Sequence, residues 1–158
     1  MRIYPVLGTA LLLLMTAASP ALADATLFLG STTSPTHRTV KGFAGGVSLV
    51  IVGFEFEYAS TAEDTTLAAP SLKTTSGNAF VQTFGLPVQL YATTGVGIFR
   101  EHLGTTQETN FLLNTGGGVK IPILGPLRAR IDYRIFNLRG NPQHSKVQRI
   151  YAGVNLAF

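Results

Sequence analysis

The sequence predicts an all-β fold, an eight-stranded antiparallel up-and-down transmembrane β-barrel. Three observations predict it. Charged residues make up 13% of the 158 residues, about half the fraction found in an ordinary soluble domain. Beyond the N-terminal region, no apolar stretch approaches the roughly 20 residues that a membrane-spanning helix needs. The chain instead divides into segments in which apolar and polar residues alternate, which is the pattern of a strand with two different faces.

The first element is a predicted signal peptide, residues 1–23. Arg2 provides a positive start, and the apolar run Val6–Ala18 is followed by Ala21-Leu22-Ala23, the small-x-small pattern of a signal-peptidase site. We therefore expect export, cleavage after Ala23 and a mature barrel domain of residues 24–158. An uncleaved membrane anchor is the alternative, but the apolar run is nearer the length of a signal-peptide core.

Eight further segments are predicted strands, because Val, Ile, Phe, Tyr and Thr dominate them and no sustained 3.6-residue apolar period favours a helix. They are Ala25–Ser31, Gly42–Leu49, Gly53–Ser60, Asn78–Phe84, Val88–Phe99, Asn110–Ile121, Leu127–Asn137 and Lys146–Phe158. Short and long connections alternate between them. The short ones are 50–52, 85–87 and 122–126, and the long polar ones are 32–41, 61–77, 100–109 and 138–145. Short turns at one end and longer loops at the other are typical of a transmembrane barrel.

The charges of the predicted strands share one face. In the third strand, Phe54, Phe56 and Tyr58 alternate with Glu55 and Glu57. We expect the charged face to line the barrel interior, where an unpaired charge is costly. The sequence therefore predicts a mutually neutralising network in which the two glutamates pair with some of the strand cations. Its predicted members are Glu55, Glu57, Lys120, Arg128, Arg130, Asp132 and Arg134.

Alternation alone does not say which face points inward. A soluble, lipocalin-like barrel would place the apolar face inside. Three features favour the membrane orientation: the low charge, the terminal aromatic residue Phe158 of an alternating strand, and several glycines on the charged face. In a narrow interior, glycines make room for long Arg and Glu side chains. These glycines are Gly95, Gly97, Gly116, Gly118 and Gly153.

Five segments resemble the small outer-membrane β-barrel family that includes opacity-type surface proteins and the OmpA-like barrel domain. They are Gly42–Tyr58, Leu90–Phe99, Gly116–Lys120, Arg128–Arg134 and Tyr151–Phe158. The resemblance covers essentially the whole predicted domain. It implies an outer-membrane location, contact with outer-membrane lipid and lipopolysaccharide, and a C-terminal assembly signal at Phe158 for the barrel-assembly machinery. Members of this family serve as adhesins, envelope-stabilising proteins, narrow pores and, in a few branches, lipid A enzymes.

Three functions are therefore open. We expect a non-catalytic surface or structural barrel, because the predicted loops are modest and carry few aromatic residues that would anchor a partner. The alternatives are a small pore, in which the interior cations would favour anions, and a lipid A-modifying enzyme. The interior of an eight-stranded barrel is filled by side chains, which argues against the pore.

A lipid A enzyme would need a serine nucleophile, a histidine base and a carboxylate at the outer rim. His102 shares a predicted loop with Glu101 and Glu108, and another loop contains His144-Ser145. The adjacent histidine and serine do not match the His-x-Ser spacing of barrel deacylases. We therefore expect no catalytic residue and no cofactor. We also expect no metal site, because no histidine has a second ligand at metal-site spacing.

The formal net charge of +4 comes without a dense basic stripe, so we expect no nucleic-acid partner. Arg38 and Lys41 lie in the first predicted loop, Arg139 lies in the last, and Lys146 is the residue that follows the last loop. They are placed either to meet anionic lipopolysaccharide at the outer rim or to form a solvated basic edge. We expect the protein to be a monomer.

Overall fold

The computed structural model describes residues 22–158, which form eight strands. The strands are β1 (Leu22–Ser34), β2 (Arg38–Leu49), β3 (Val52–Thr61), β4 (Ser71–Gln82), β5 (Gln89–Leu103), β6 (Thr106–Leu124), β7 (Leu127–Leu138) and β8 (Lys146–Ala157). Each pairs antiparallel with its neighbours in sequence, and β8 closes onto β1. The closed, antiparallel, up-and-down barrel confirms the predicted fold class.

The predicted signal peptide lies outside the described residues, except for Leu22 and Ala23 at the start of β1. Among residues 22–158, no helix is long and apolar enough to cross a bilayer. We call the end of the barrel that carries Leu22 and Phe158 the terminal end. The opposite end, which carries the connections 35–37, 62–70, 104–105 and 139–145, is the loop end.

Several strands run further toward the loop end than the sequence predicted. β4 begins at Ser71 rather than Asn78, and the predicted loop 100–109 is reduced to the turn Gly104-Thr105 between β5 and β6. Gly104 has a φ of 59°, which glycine adopts without steric cost. The polar residues of these extensions were mistaken for loop residues. Near the rim of a barrel both faces of a strand can be polar, because the backbone ladder does not require an apolar face.

The register of the sheet tilts the strands. Successive paired residues lead from Val119 on β6 around the barrel through Ile131, Ala152, Leu29, Lys41, Ser60, Lys73 and Arg100 to Thr109. The path returns to β6 ten residues from where it began. This stagger in eight strands corresponds to a tilt of about 40°. A row of paired residues therefore climbs obliquely toward the loop end.

The two faces of the sheet have opposite character. Leu27, Phe54 and Phe111 point outward and are 72%, 65% and 71% exposed, whereas Glu57 and Arg134 are buried inside the barrel. The soluble, lipocalin-like orientation is therefore wrong for this chain. An apolar exterior around a polar interior is the arrangement of a transmembrane barrel.

Candidate functional site

The barrel interior contains a network of charged and phenolic side chains, contributed by β3, β5, β7 and β8. Alternation along each strand turns these side chains inward, and the register places glycines beside the largest of them. Gly116 lies opposite Arg134, and Gly153 lies opposite Arg130. The missing side chains leave space for two long guanidinium side chains in a narrow interior.

Arg130 is the most extensively bonded member of the network. Its guanidinium donates to both carboxylate oxygens of Glu55, with Nη2 3.2 Å from Oε1. Its Nε lies 2.7 Å from the Tyr91 hydroxyl, and Nη2 lies 3.0 Å from Oδ2 of Asp132. The Tyr91 hydroxyl in turn donates to Asp132. Nη1 of Arg130 also lies 3.3 Å from the Thr26 hydroxyl, so one guanidinium group joins four strands.

Arg134 continues the network toward the loop end. Its Nη2 lies 2.7 Å from Oε1 of Glu55, and its Nε lies 3.1 Å from Oδ1 of Asp132. Its Nη1 lies 3.0 Å from Oε2 of Glu57, but the N–H is not aligned for a hydrogen bond, so this is a charge contact. The carboxylate of Glu57 also accepts from the Tyr151 hydroxyl at 2.7 Å.

Arg149 completes the centre. Its Nη1 lies 3.4 Å from Oε1 of Glu57, its Nη2 lies 3.3 Å from the Thr74 hydroxyl, and its guanidinium lies 4.4 Å from the centre of the Phe136 ring. The central side chains are three arginines (130, 134 and 149) and three carboxylates (55, 57 and 132), each no more than 5% exposed. Their formal charges cancel, which offsets the cost of burying them.

Two predicted members of the network lie apart from this centre. Lys120 has its Nζ 2.5 Å from Oδ2 of Asp24, rather than near Glu55 or Glu57. Arg128 donates to Oε1 of Gln89 at 2.7 Å and has no carboxylate partner among the described residues. Lys120 is near the end of β6 and Arg128 is near the start of β7, so both side chains lie closer to the terminal end than the charged centre does.

Sequence reasoning missed three members of the centre: Arg149, Tyr91 and Tyr151. A signal was present for the two residues of β8, since both alternate with the apolar residues of the last strand. Tyr91 likewise lies on the same face as the predicted interior glycines of β5. Only the closure of the barrel, however, brings Tyr151 to Glu57, 94 residues away.

An apolar layer lies between the charged centre and the loop end. Its side chains are each no more than 3% exposed and form one cluster: Leu72, Phe99, Leu112, Phe136, Leu138 and Val147. Phe136 follows Arg134 on β7, and Val147 precedes Arg149 on β8, so both lie on the loop side of the charges. A second buried cluster lies against Tyr151 on the β1–β3 side of the interior, so ionic and apolar side chains both fill the barrel. Its members are Phe28, Val40, Ala44, Ala59 and Tyr151.

Three glutamates at the loop end contact loop backbone groups or a histidine. Oε2 of Glu101 accepts from the backbone N–H of Gln143 at 2.9 Å, and Oε1 of Glu108 accepts from that of Asn141 at 3.3 Å. Oε2 of Glu63 lies 3.5 Å from Nδ1 of His102. Within residues 22–158, no group of three or more His, Asp or Glu side chains is placed to hold a metal ion.

The serines near the candidate histidines bond to backbone groups. The Ser71 hydroxyl donates to the backbone carbonyl of His102 at 3.3 Å rather than to its imidazole. In the last loop, the carbonyl of Ser145 accepts from the N–H of Leu138 at 2.7 Å. The structure thus joins His102 to Glu63, which the sequence did not suggest, and uses Glu101 and Glu108 as loop acceptors.

Comparison with solved structures identifies the architecture. The N-terminal β-barrel domain of Pseudomonas aeruginosa OprF is similar to this chain with a TM-score of 0.66 at 16% identity, covering 87% of this chain and 97% of that one. Neisserial surface protein A (NspA) is similar with a TM-score of 0.64 at 18% identity, covering 87% and 96%. The chain has the fold of the small eight-stranded outer-membrane barrels.

The outer-membrane enzyme PagL also shares this fold, with a TM-score of 0.55 at 11% identity, covering 84% of this chain and 98% of that one. No family model matches the sequence, and no curated protein does so. The small-barrel fold therefore hosts an enzyme as well as surface proteins, and the function has to be argued from the residues of this chain.

Proposed function

We propose that this protein is a non-catalytic β-barrel of the bacterial outer membrane, with a structural or surface role in the cell envelope. The observation that carries the proposal is that ionic and apolar side chains are both buried inside the barrel. A charge-balanced network and two buried apolar clusters lie inside the barrel, while the exterior is apolar. We infer from this arrangement that the protein spans a bilayer and presents its loop end, and that it neither conducts nor transforms a solute.

The proposed location follows from the exterior and from the leader. The outward-facing side chains of the strands are predominantly apolar, as lipid requires of a barrel wall. With an even number of strands, both chain ends meet at one end of the barrel. We infer that residues 1–23 direct export, that the terminal end faces the periplasm and that the loop end faces outward.

The enzymatic alternative has less support. The fold does not exclude it, as PagL demonstrates. At the loop end, however, Glu101 and Glu108 accept hydrogen bonds from a loop backbone, and His102 is placed beside Glu63 without a serine oriented toward its imidazole. Lipid A from cells with and without the protein is expected to give the same mass spectrum.

The pore alternative is tested by conductance across a planar bilayer. The folded protein is expected to give no stepwise current, because charged and apolar layers both block the interior. Folding is verified on a gel, where the unheated barrel should migrate differently from the boiled chain. A reproducible current from protein that passes this control would overturn the closed-barrel proposal, and substitution of Arg149 should then change the ion selectivity.

The proposed partners are the lipids of the outer membrane, including lipopolysaccharide, and the barrel-assembly machinery. We infer that the machinery recognises the C-terminal strand. The Phe158 side chain at its end is 69% exposed and so remains available for recognition. We propose that the folded protein is a monomer, because closure of β8 onto β1 leaves no strand edge to pair with a second chain.

A further inference from the structure

The outward face of the strands carries charge at four positions only, and all four are cations. They are Lys41 on β2, Lys73 on β4, Arg100 on β5 and Lys146 on β8, each exposed and each in the half of the barrel nearest the loop end. Within the described strands, no aspartate or glutamate shares that face. The exterior therefore bears an uncompensated positive charge on one side of its apolar belt.

Three of these cations lie on one row of the sheet. Lys41 pairs with Ser60, Ser60 with Lys73, and Lys73 with Arg100. Lys73 and Arg100 are therefore direct cross-strand neighbours, a position in which Cβ atoms lie about 5 Å apart. Like charges in that position destabilise a sheet. None of the three forms an ion pair with a carboxylate of residues 22–158. We therefore expect an anion from outside the chain to bind to this row of cations.

Apolar surface adjoins the row on the side of the terminal end. A groove there is lined by Leu27, Leu29, Phe43, Tyr58 and Val154, and Lys41 and Lys73 stand at its margin. The outward-facing side chain at position 152 in this groove is only an alanine, which leaves it recessed between larger side chains. A second hollow, with Tyr58, Thr75 and Ile98, lies beside Lys73 and Arg100. The cations lie toward the loop end and the apolar groove lies toward the terminal end. This arrangement is complementary to an amphiphile with an anionic headgroup and acyl chains.

We propose that Lys41, Lys73 and Arg100 bind the phosphates of a bis-phosphorylated, multiply acylated glycolipid of the lipid A type, one of whose acyl chains lies in the groove. The inference rests on the proposed function, which puts the loop end at the outer leaflet. Lys41 lies two strands from Lys73, roughly 10 Å away. A headgroup with two separate phosphates can reach both positions, whereas the single phosphate of a phosphodiester lipid reaches one.

The test measures binding of three probes to the folded protein in a zwitterionic detergent: lipid A with two phosphates, lipid A with one phosphate, and phosphatidylglycerol. The K73Q/R100Q variant should bind the two-phosphate probe about 25-fold more weakly, about fivefold for each cation removed near a lipid headgroup. The charge-retaining K73R/R100K variant should bind it as the unaltered protein does. The R139Q/K146Q control loses the same net charge away from the row and should also bind normally.

Equal weakening in R139Q/K146Q, or no weakening in K73Q/R100Q, would overturn the proposed site. Phosphatidylglycerol bound as tightly as two-phosphate lipid A would overturn the choice of ligand. All substituted side chains are exposed, and heat-dependent gel migration verifies that each variant is folded. Because binding is measured on purified protein, its failure differs from failure of the proposed function, which would appear as ion current or absence from the outer-membrane fraction.

Discussion

Oε1 of Glu55 lies 2.7 Å from Nη2 of Arg134, an ion pair in the centre of the barrel between residues 79 positions apart in the chain. The same carboxylate accepts from Arg130. One glutamate is therefore shared by two guanidinium groups, both of which are fully buried. When one partner of a buried ion pair is removed, the charge left behind is more costly than the intact pair is favourable.

The Glu55→Gln substitution is therefore expected to lower the free energy of unfolding by about 3 kcal/mol. The amide keeps the shape of the side chain but leaves Arg130 and Arg134 with one fewer negative charge between them. Denaturant titration of the barrel in detergent measures the change. The matched control is Glu63→Gln at the partly exposed loop end, which should cost less than about 1 kcal/mol. Equal losses in the two variants would show that the central charge is not needed for stability.

The Gly118→Ala substitution is expected to destabilise the barrel by about 1–3 kcal/mol, the usual cost of adding volume to a packed interior. A methyl group at this position would meet the backbone carbonyl of Ile131 and would lie 2.6 Å from the Tyr91 hydroxyl. The same denaturant titration measures the change. Gly77→Ala is the control, because a methyl group there has no heavy atom within 4 Å. If both alanines are tolerated alike, the interior is less tightly packed than the structure indicates.

The Phe158→Ala substitution is expected to reduce the amount of barrel in the outer membrane several-fold without changing its stability. The side chain is 69% exposed, so its loss removes little packing and should alter the unfolding free energy by less than about 0.5 kcal/mol. Quantitative blotting of membrane fractions and denaturant titration measure the two effects. Leu67→Ala, at a loop position that is 58% exposed, should leave both unchanged. Equal membrane yields for the two variants would contradict recognition of Phe158 by the assembly machinery.

Strand existence and strand faces could be predicted from sequence, whereas strand ends could not. The alternation of Glu55 and Glu57 with aromatic residues separated the two faces of β3 correctly. The same reasoning assigned Lys73 and Arg100 to loops, because polar residues on both faces weaken the alternation near the rim. The structure continues β4 and β5 through these positions and so places both cations on the barrel wall.

For the interior network, the inward-facing charges could be predicted from the sequence, but most of their partners could not. Its charges were expected from the alternating pattern, and Arg149 was overlooked although it shares that pattern. The partners were harder to predict: Lys120 contacts Asp24, and Arg128 contacts Gln89. These contacts join strands that are not neighbours in the sheet, so no local pattern encodes them.

The order of residue types along the chain was sufficient to predict the barrel and its two faces, because side-chain alternation is a local property of the extended backbone. The low charge of the chain and the glycines on the charged face then favoured an inward position for the charges. The pairing of Glu55 with Arg130 and Arg134, and the row of Lys41, Lys73 and Arg100, depend instead on the ten-residue stagger of the closed sheet. That stagger is set by how all eight strands close together under their shared twist and packing. It is therefore a property of the folded barrel that no single strand carries.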